Sequence, residues 1–173
     1  GTAYGNEVTL SSSANLPVFT TTVIASITFA TASGGGIVTS AGGGTITARG
    51  VCWSTTTGPT TAGSKSADGT GTDSFTSSIT GLTAGTTYFV RAYASNSAGT
   101  AYGNEVTFSS SANLPVVTTA DITSIASATA SGGGNVTSAG GGTVTARGVC
   151  WSTTTNPTIA NSKTTDGTGT GSF

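Results

Sequence analysis

The sequence copies itself at a spacing of 98 residues, and that period governs what the chain can fold into. Gly1–Phe75 align with Gly99–Phe173 without a gap, and 60 of the 75 paired positions are identical. GTAYGNEVT, SSSANLPV, SGGG, VTSAGGGT and ARGVCWSTTT recur almost letter for letter, while differences gather in Thr22–Phe29 and Thr61–Ala67. A period this long exceeds a solenoid unit and matches one small domain. With junctions at ANLPV, residues 16–110 form a complete repeat. Residues 1–12 then match the last strand of a preceding repeat, and 114–173 the first part of a following one. Two readings of the broken ends stand open. The chain is a window on a longer array, or a strand from one subunit completes a neighbour's open sandwich. The second reading lacks a counterpart of Thr76–Ala98.

Within the complete repeat, Gly and Ser interrupt every stretch that might turn helical, and β-branched residues recur with period two. Strands are expected at Pro17–Val23, Phe29–Thr39, Thr45–Ser54, near Lys65, Phe75–Leu82, Thr87–Ser95 and Thr100–Phe108. In the clearest, Tyr88, Val90, Ala92 and Ala94 share one face and Phe89, Arg91 and Tyr93 the other. The phase of Thr45–Ser54 is ambiguous. Strict alternation groups Ile46, Ala48, Gly50 and Cys52 and leaves Trp53 outside, whereas a bulge at Arg49–Gly50 turns Val51 and Trp53 inward. About seven strands in fewer than 100 residues predict an all-β, immunoglobulin-like sandwich. Leu82, Tyr88, Val90 and Ala92 are the expected core. Phe89, Tyr93 and, without a bulge, Trp53 face outward as candidate contacts for a partner, or pack beneath the loop around Pro59.

The segment GLTAGTTYFVRAYASNSAG, residues 81–99, resembles the second half of a fibronectin type III domain through Leu82, Thr86, Tyr88, Val90, Ala92, Asn96 and Gly99. In that family the Leu and Tyr form a corner that pins a strand pair, and the resemblance implies this role for Leu82 and Tyr88. Two departures stand out. Ala84 replaces the usual Pro, and the Gly34–Gly36 run stands where the family has a Trp. The fuller pattern, ARGVCWSTTT with YFVRAYASNSAGTAYGNEV, is similar to tandem repeats of large secreted bacterial surface proteins. That resemblance spans essentially the whole chain. It implies an extracellular or cell-surface location and a role as spacer, stalk or adhesive arm.

Chemistry for catalysis is sparse. The chain has no His, which removes imidazole bases and His-based triads or metal sites. Six carboxylates remain, of which Asp68 and Asp73 are close in sequence, and Gly171 stands where Asp73 would recur. DGTGTD offers too few carboxylates for a calcium loop and reads as an Asp-Gly turn. The Gly runs lack the Lys and following helix of a phosphate loop. Arg91 and Glu105 are expected to form a surface ion pair. Each repeat carries one cysteine, so no disulfide closes within a repeat. Cys52 reads as a small buried hydrophobe beside Trp53.

Only 6% of residues are charged and the formal net charge is −1, leaving no basic surface for nucleic acid. No apolar run approaches the roughly 20 residues that span a bilayer. Together these features predict a structural repeat without catalysis, metal or cofactor: a stalk, adhesin or fibre. Its partners would be neighbouring repeats of the same protein or identical subunits in a fibre. The alternative is a ligand-binding accessory module, with polysaccharide as its partner.

Overall fold

Among the described residues before 110, eight short strands form, and alternation is clearest in the strand Asp73–Thr80, DSFTSSIT, where every second residue from Phe75 to Ile79 is buried. The computed structural model describes residues 1–9 and 12–173, so residues 10 and 11 of the expected strand over 1–12 lie outside the described residues. Residues 1–9 are exposed and form no strand. The strands are β1 (Val18–Thr21), β2 (Thr31–Ser40), β3 (Ala48–Ser54), β4 (Ser64–Lys65), β5 (Asp73–Thr80), β6 (Thr87–Asn96), β7 (Gly99–Tyr102) and β8 (Val106–Ser109). Five shorter ones follow: β9 (Val116–Thr119), β10 (Gly134–Ser138), β11 (Cys150–Trp151), β12 (Ser162–Lys163) and β13 (Gly171–Ser172). The pairings of β1 with β2, of β3 with β4 and β6, of β6 with β7, of β10 with β9 and β13, and of β11 with β12 are antiparallel, and no helix occurs among the described residues.

The chain divides into two compact units. The first comprises Gly1–Ser26, Ala32–Ile79 and Tyr88–Phe108. Its strands lie in two sheets, one ordered β1-β2-β5 and the other β4-β3-β6-β7, with β8 also paired to β6. The sheets meet through β2. A Cβ added to Gly34 would lie 3.9 Å from Val51 of β3, and one at Gly36 would lie 3.0 Å from the Ala92 Cβ of β6. Glycine in β2 therefore admits the opposite sheet closely, and the Gly34–Gly36 run is part of the packing. Around this contact Val38, Ile46, Val51, Ile79, Val90 and Ala92 are at most 2% exposed. The Tyr88 ring stacks on Phe108 with centroids 5.8 Å apart.

The phase of β3 is now fixed. Ala48 to Ser54 pair with Ser95 to Phe89 without a register shift, so there is no bulge at Arg49–Gly50. Val51 and Trp53 nevertheless face inward, opposite Ala92 and Val90, and Trp53 is only 9% exposed. The expectation from strict alternation, with Trp53 outside, is corrected. Ile46 is buried too, and it lies ahead of the strand, so the change of phase falls before Ala48.

At one edge of the two-sheet body a single threonine bridges the two sheets. The run from β7 to β8 breaks at residues 103–105, and Thr21 of β1 fills the break. Its Oγ1 donates to the Asn104 carbonyl at 2.6 Å and accepts from the Ala92 N–H at 3.0 Å, while its own N–H donates to Asn104 Oδ1 at 3.1 Å.

The second unit comprises Ile27–Thr31, Thr80–Thr87 and Ser109–Phe173. In its first part the Leu82 N–H donates to the Ala30 carbonyl, the Ser111 N–H to Thr28, and the Ser110 hydroxyl to Thr83. Leu82 is buried. In its remainder β9, β10 and β13 form one small sheet, and β11 pairs with β12. Val136 and Val144 are buried, but Val117, Ile122, Trp151 and Ile159 are about half exposed or more.

Candidate functional site

Of the three candidate contact residues, Phe89 and Tyr93 sit on the outer face of the larger sheet of the first unit, and Trp53 does not. On β3 and β6 that face carries the pairs Gly50–Tyr93, Cys52–Arg91 and Ser54–Phe89. Alternation alone would leave it open to water. Instead the chain between β3 and β5 folds back across it. Gly50 has no side chain, so the Tyr93 ring lies against it: a Cβ there would be 2.9 Å from the ring. The Tyr93 hydroxyl then donates to the Ser66 carbonyl at 2.6 Å. Tyr93 is 4% exposed, which corrects the expectation that it faces a partner. Phe89, opposite Ser54, is half-buried.

The loop before β4 is strapped down by groups that the sequence showed but could not place. The Cys52 thiol lies 3.3 Å from the Pro59 carbonyl oxygen, and Pro59 is buried. Tyr102 of β7 receives the Thr61 N–H at 3.1 Å. The Glu105 carboxylate accepts the Gly58 N–H at 2.7 Å, and Lys65 donates to the Thr61 carbonyl at 2.7 Å. Arg91 stacks its guanidinium over the Tyr102 ring at 4.9 Å and donates to the Gly103 carbonyl at 3.1 Å. The expected Arg91–Glu105 ion pair does not form, because each group is taken up by backbone.

Arg49, on the β3 face that it shares with Val51 and Trp53, organises the DGTGTD segment. Its guanidinium donates to the carbonyls of Asp68, Gly71 and Thr72 and lies 5.3 Å from the centre of the Phe75 ring. Arg147 repeats this arrangement on Asp166, Gly169 and Thr170, 5.6 Å from Phe173. The Asp68 carboxylate accepts from Ser66 and Ser77, the latter 1% exposed. Asp73 is exposed and holds φ +78°, the left-handed region. The Arg49 and Asp68 bonds hold the segment as a turn built on its own backbone. Among the described residues, no three of Cys, Asp and Glu gather to hold a metal ion.

Two side chains carry perturbed acidity, and both reflect burial. Removal from water pushes the Cys52 thiol up, opposed in part by the nearby Arg91 charge. Burial also pushes the Tyr93 phenol up, and the Asp68 carboxylate adds to it. Neither shift favours a nucleophile at neutral pH. Cys150, the counterpart of Cys52, is half-buried, its sulfur 3.4 Å from the Pro157 carbonyl oxygen.

The residues that define this face thus belong to the class of all-β, two-sheet proteins, with side chains turned to their own loops. No family model matches the chain, and no curated protein matches it. Among solved structures, the sensor domain of the anti-sigma factor RsgI4 in Pseudobacteroides cellulosolvens is similar. It is 17% identical, with a TM-score of 0.41, over 55% of this chain and 75% of that one. No helix among the described residues is long and apolar enough to cross a membrane.

Proposed function

We propose that this chain is a structural repeat of an extracellular bacterial protein, one that spaces, displays or assembles and does not catalyse. One observation carries the reading. In the complete repeat the side chains best suited to chemistry or binding are spent on the repeat's own backbone: Arg49, Cys52, Asp68, Arg91, Tyr93, Tyr102 and Glu105 all hold loops. The near-identical second copy spends Arg147 and Lys163 in the same way. Strand orders of β1-β2-β5 and β4-β3-β6-β7 support the fibronectin type III-like reading, as does the burial of Leu82 and Tyr88.

Electron microscopy of the native material tests the proposal. Extended rods or fibres with a regular axial repeat are expected. A compact particle that binds polysaccharide on a glycan array would overturn it in favour of a ligand-binding module.

A further inference from the structure

Two tight turns in the second unit approach each other so closely that neither tolerates a side chain. Gly85 lies in the turn after Leu82, with φ +64°, and Gly141 lies in the AGGG turn of the following repeat, with φ +84°. A Cβ added to Gly85 would sit 1.9 Å from the Gly141 carbonyl oxygen. One added to Gly141 would sit 2.4 Å from the Ala84 carbonyl oxygen. Real Cβ atoms do not come within such distances of backbone, so this is backbone lying on backbone.

The sequence contains its own control. Gly43 is the same repeat position as Gly141, with the same neighbours and φ +82°, yet a Cβ there would meet nothing within 4 Å. Glycine at Gly43 answers to its turn, whereas glycine at Gly141 answers to its turn and to Ala84–Gly85. The AGGG turn is also fixed on its own repeat in both copies. Asn15 donates its N–H to the Gly42 carbonyl at 2.7 Å, and Asn113 to Gly140 at 2.7 Å.

We propose that the AGGG turn is a docking surface whose partner is the Ala84–Gly85 turn of the repeat before it. The joint at Gly141 is the occupied form of that surface. Gly42–Gly44 presents the same surface to a turn of the same sequence in a further repeat. Recognition is by shape: two glycine turns in the left-handed conformation, with no charge and no side chain between them. A neutral, Thr-rich chain gains a defined successor at each repeat without charge pairing.

This deepens the tandem-array reading and rests on it, and the test separates the two. Amide resonances and hydrogen exchange are recorded on the whole chain and on Gly141→Ala and Gly43→Ala. The two variants impose the same backbone strain within their turns. Gly141→Ala is expected to shift the amide resonances of Ala84, Gly85 and Thr86, more than 50 residues away. Gly43→Ala should leave those three resonances in place. Gly85→Ala should shift Gly140–Gly142, while Gly81→Ala, at φ +71° with nothing within 4 Å, should not. Resonances of residues 84–86 that stay fixed in Gly141→Ala, or that move equally in Gly43→Ala, would overturn the joint. A compact native particle would instead sink the array and leave these signals intact.

Discussion

Replacing Thr21 by Val changes one hydroxyl to a methyl group of nearly the same volume and tests whether that hydroxyl bridges the two sheets at the edge of the sandwich. Thr21 is 8% exposed and Ala92 is fully buried. The Ala92 N–H, which donates to Thr21 Oγ1 at 3.0 Å, would be left without a partner in Thr21→Val. An unpaired buried donor costs about 1–3 kcal/mol, and losing the bond to the Asn104 carbonyl costs about 1 kcal/mol more. The added methyl returns about 0.8 kcal/mol by burial. The net loss is about 2 kcal/mol, and in a domain of this size each kcal/mol lowers Tm by about 4–8 °C. Thr21→Ser keeps both bonds and loses only a methyl, so it should cost about 1 kcal/mol or less. Urea unfolding of the three proteins, followed by tryptophan fluorescence, gives the comparison. If Val proves as stable as the parent, or more stable than Ser, the hydroxyl does not hold the edge and the argument fails.

Three further outcomes are expected. Asp73→Gly should stabilise the protein by about 0.5–1 kcal/mol, because a left-handed non-glycine residue is strained and Gly171 occupies the equivalent position; Asp73→Ala should not stabilise it. Tyr93→Phe should cost about 1 kcal/mol at neutral pH. The Tyr93 phenol is raised above 10.0 in the folded state, so above pH 10 the unfolded chain loses its proton first and the parent's stability falls. The gap between parent and Tyr93→Phe should therefore narrow as pH rises through that region, and a widening gap would contradict the assignment. A thiol reagent under native conditions should modify half-buried Cys150 well before Cys52, and equal rates would show that Cys52 is not enclosed.

Much of the fold was legible because strand periodicity is a local property. The seven expected strands fall within a few residues of β1–β8, with β7 and β8 splitting the last of them. The core face of β6 could be read in the same way, since Tyr88, Val90 and Ala92 alternate along one strand. What escaped depended on distant residues. Tyr93 alternates onto the outer face as expected, but it is buried because Gly50 lies directly across from it and the loop ending at Ser66 covers both. Nothing near Tyr93 in the sequence announces that pairing. Consequently Tyr93→Ala is expected to destabilise as substantially as Tyr88→Ala, since both rings are buried. The β3 phase escaped for another reason: alternation cannot locate a shift that happens before the strand begins. Thr21 gave no signal at all, since a Thr in a Thr-rich strand looks like every other.

The arginine clasp has a consequence for how such repeats diversify. Arg49 and Arg147 donate their hydrogen bonds only to main-chain oxygens, and Lys65 and Lys163 do the same at Thr61 and Ile159. A backbone oxygen is present whatever residue supplies it. Several loop positions are thereby free to vary, and Thr61 can become Ile159, Gly63 Asn161 and Asp73 Gly171 with the arginine and lysine bonds kept. Variation accumulates where the fold does not consult it, so a protein built from near-copies can present a different surface at each step along its length.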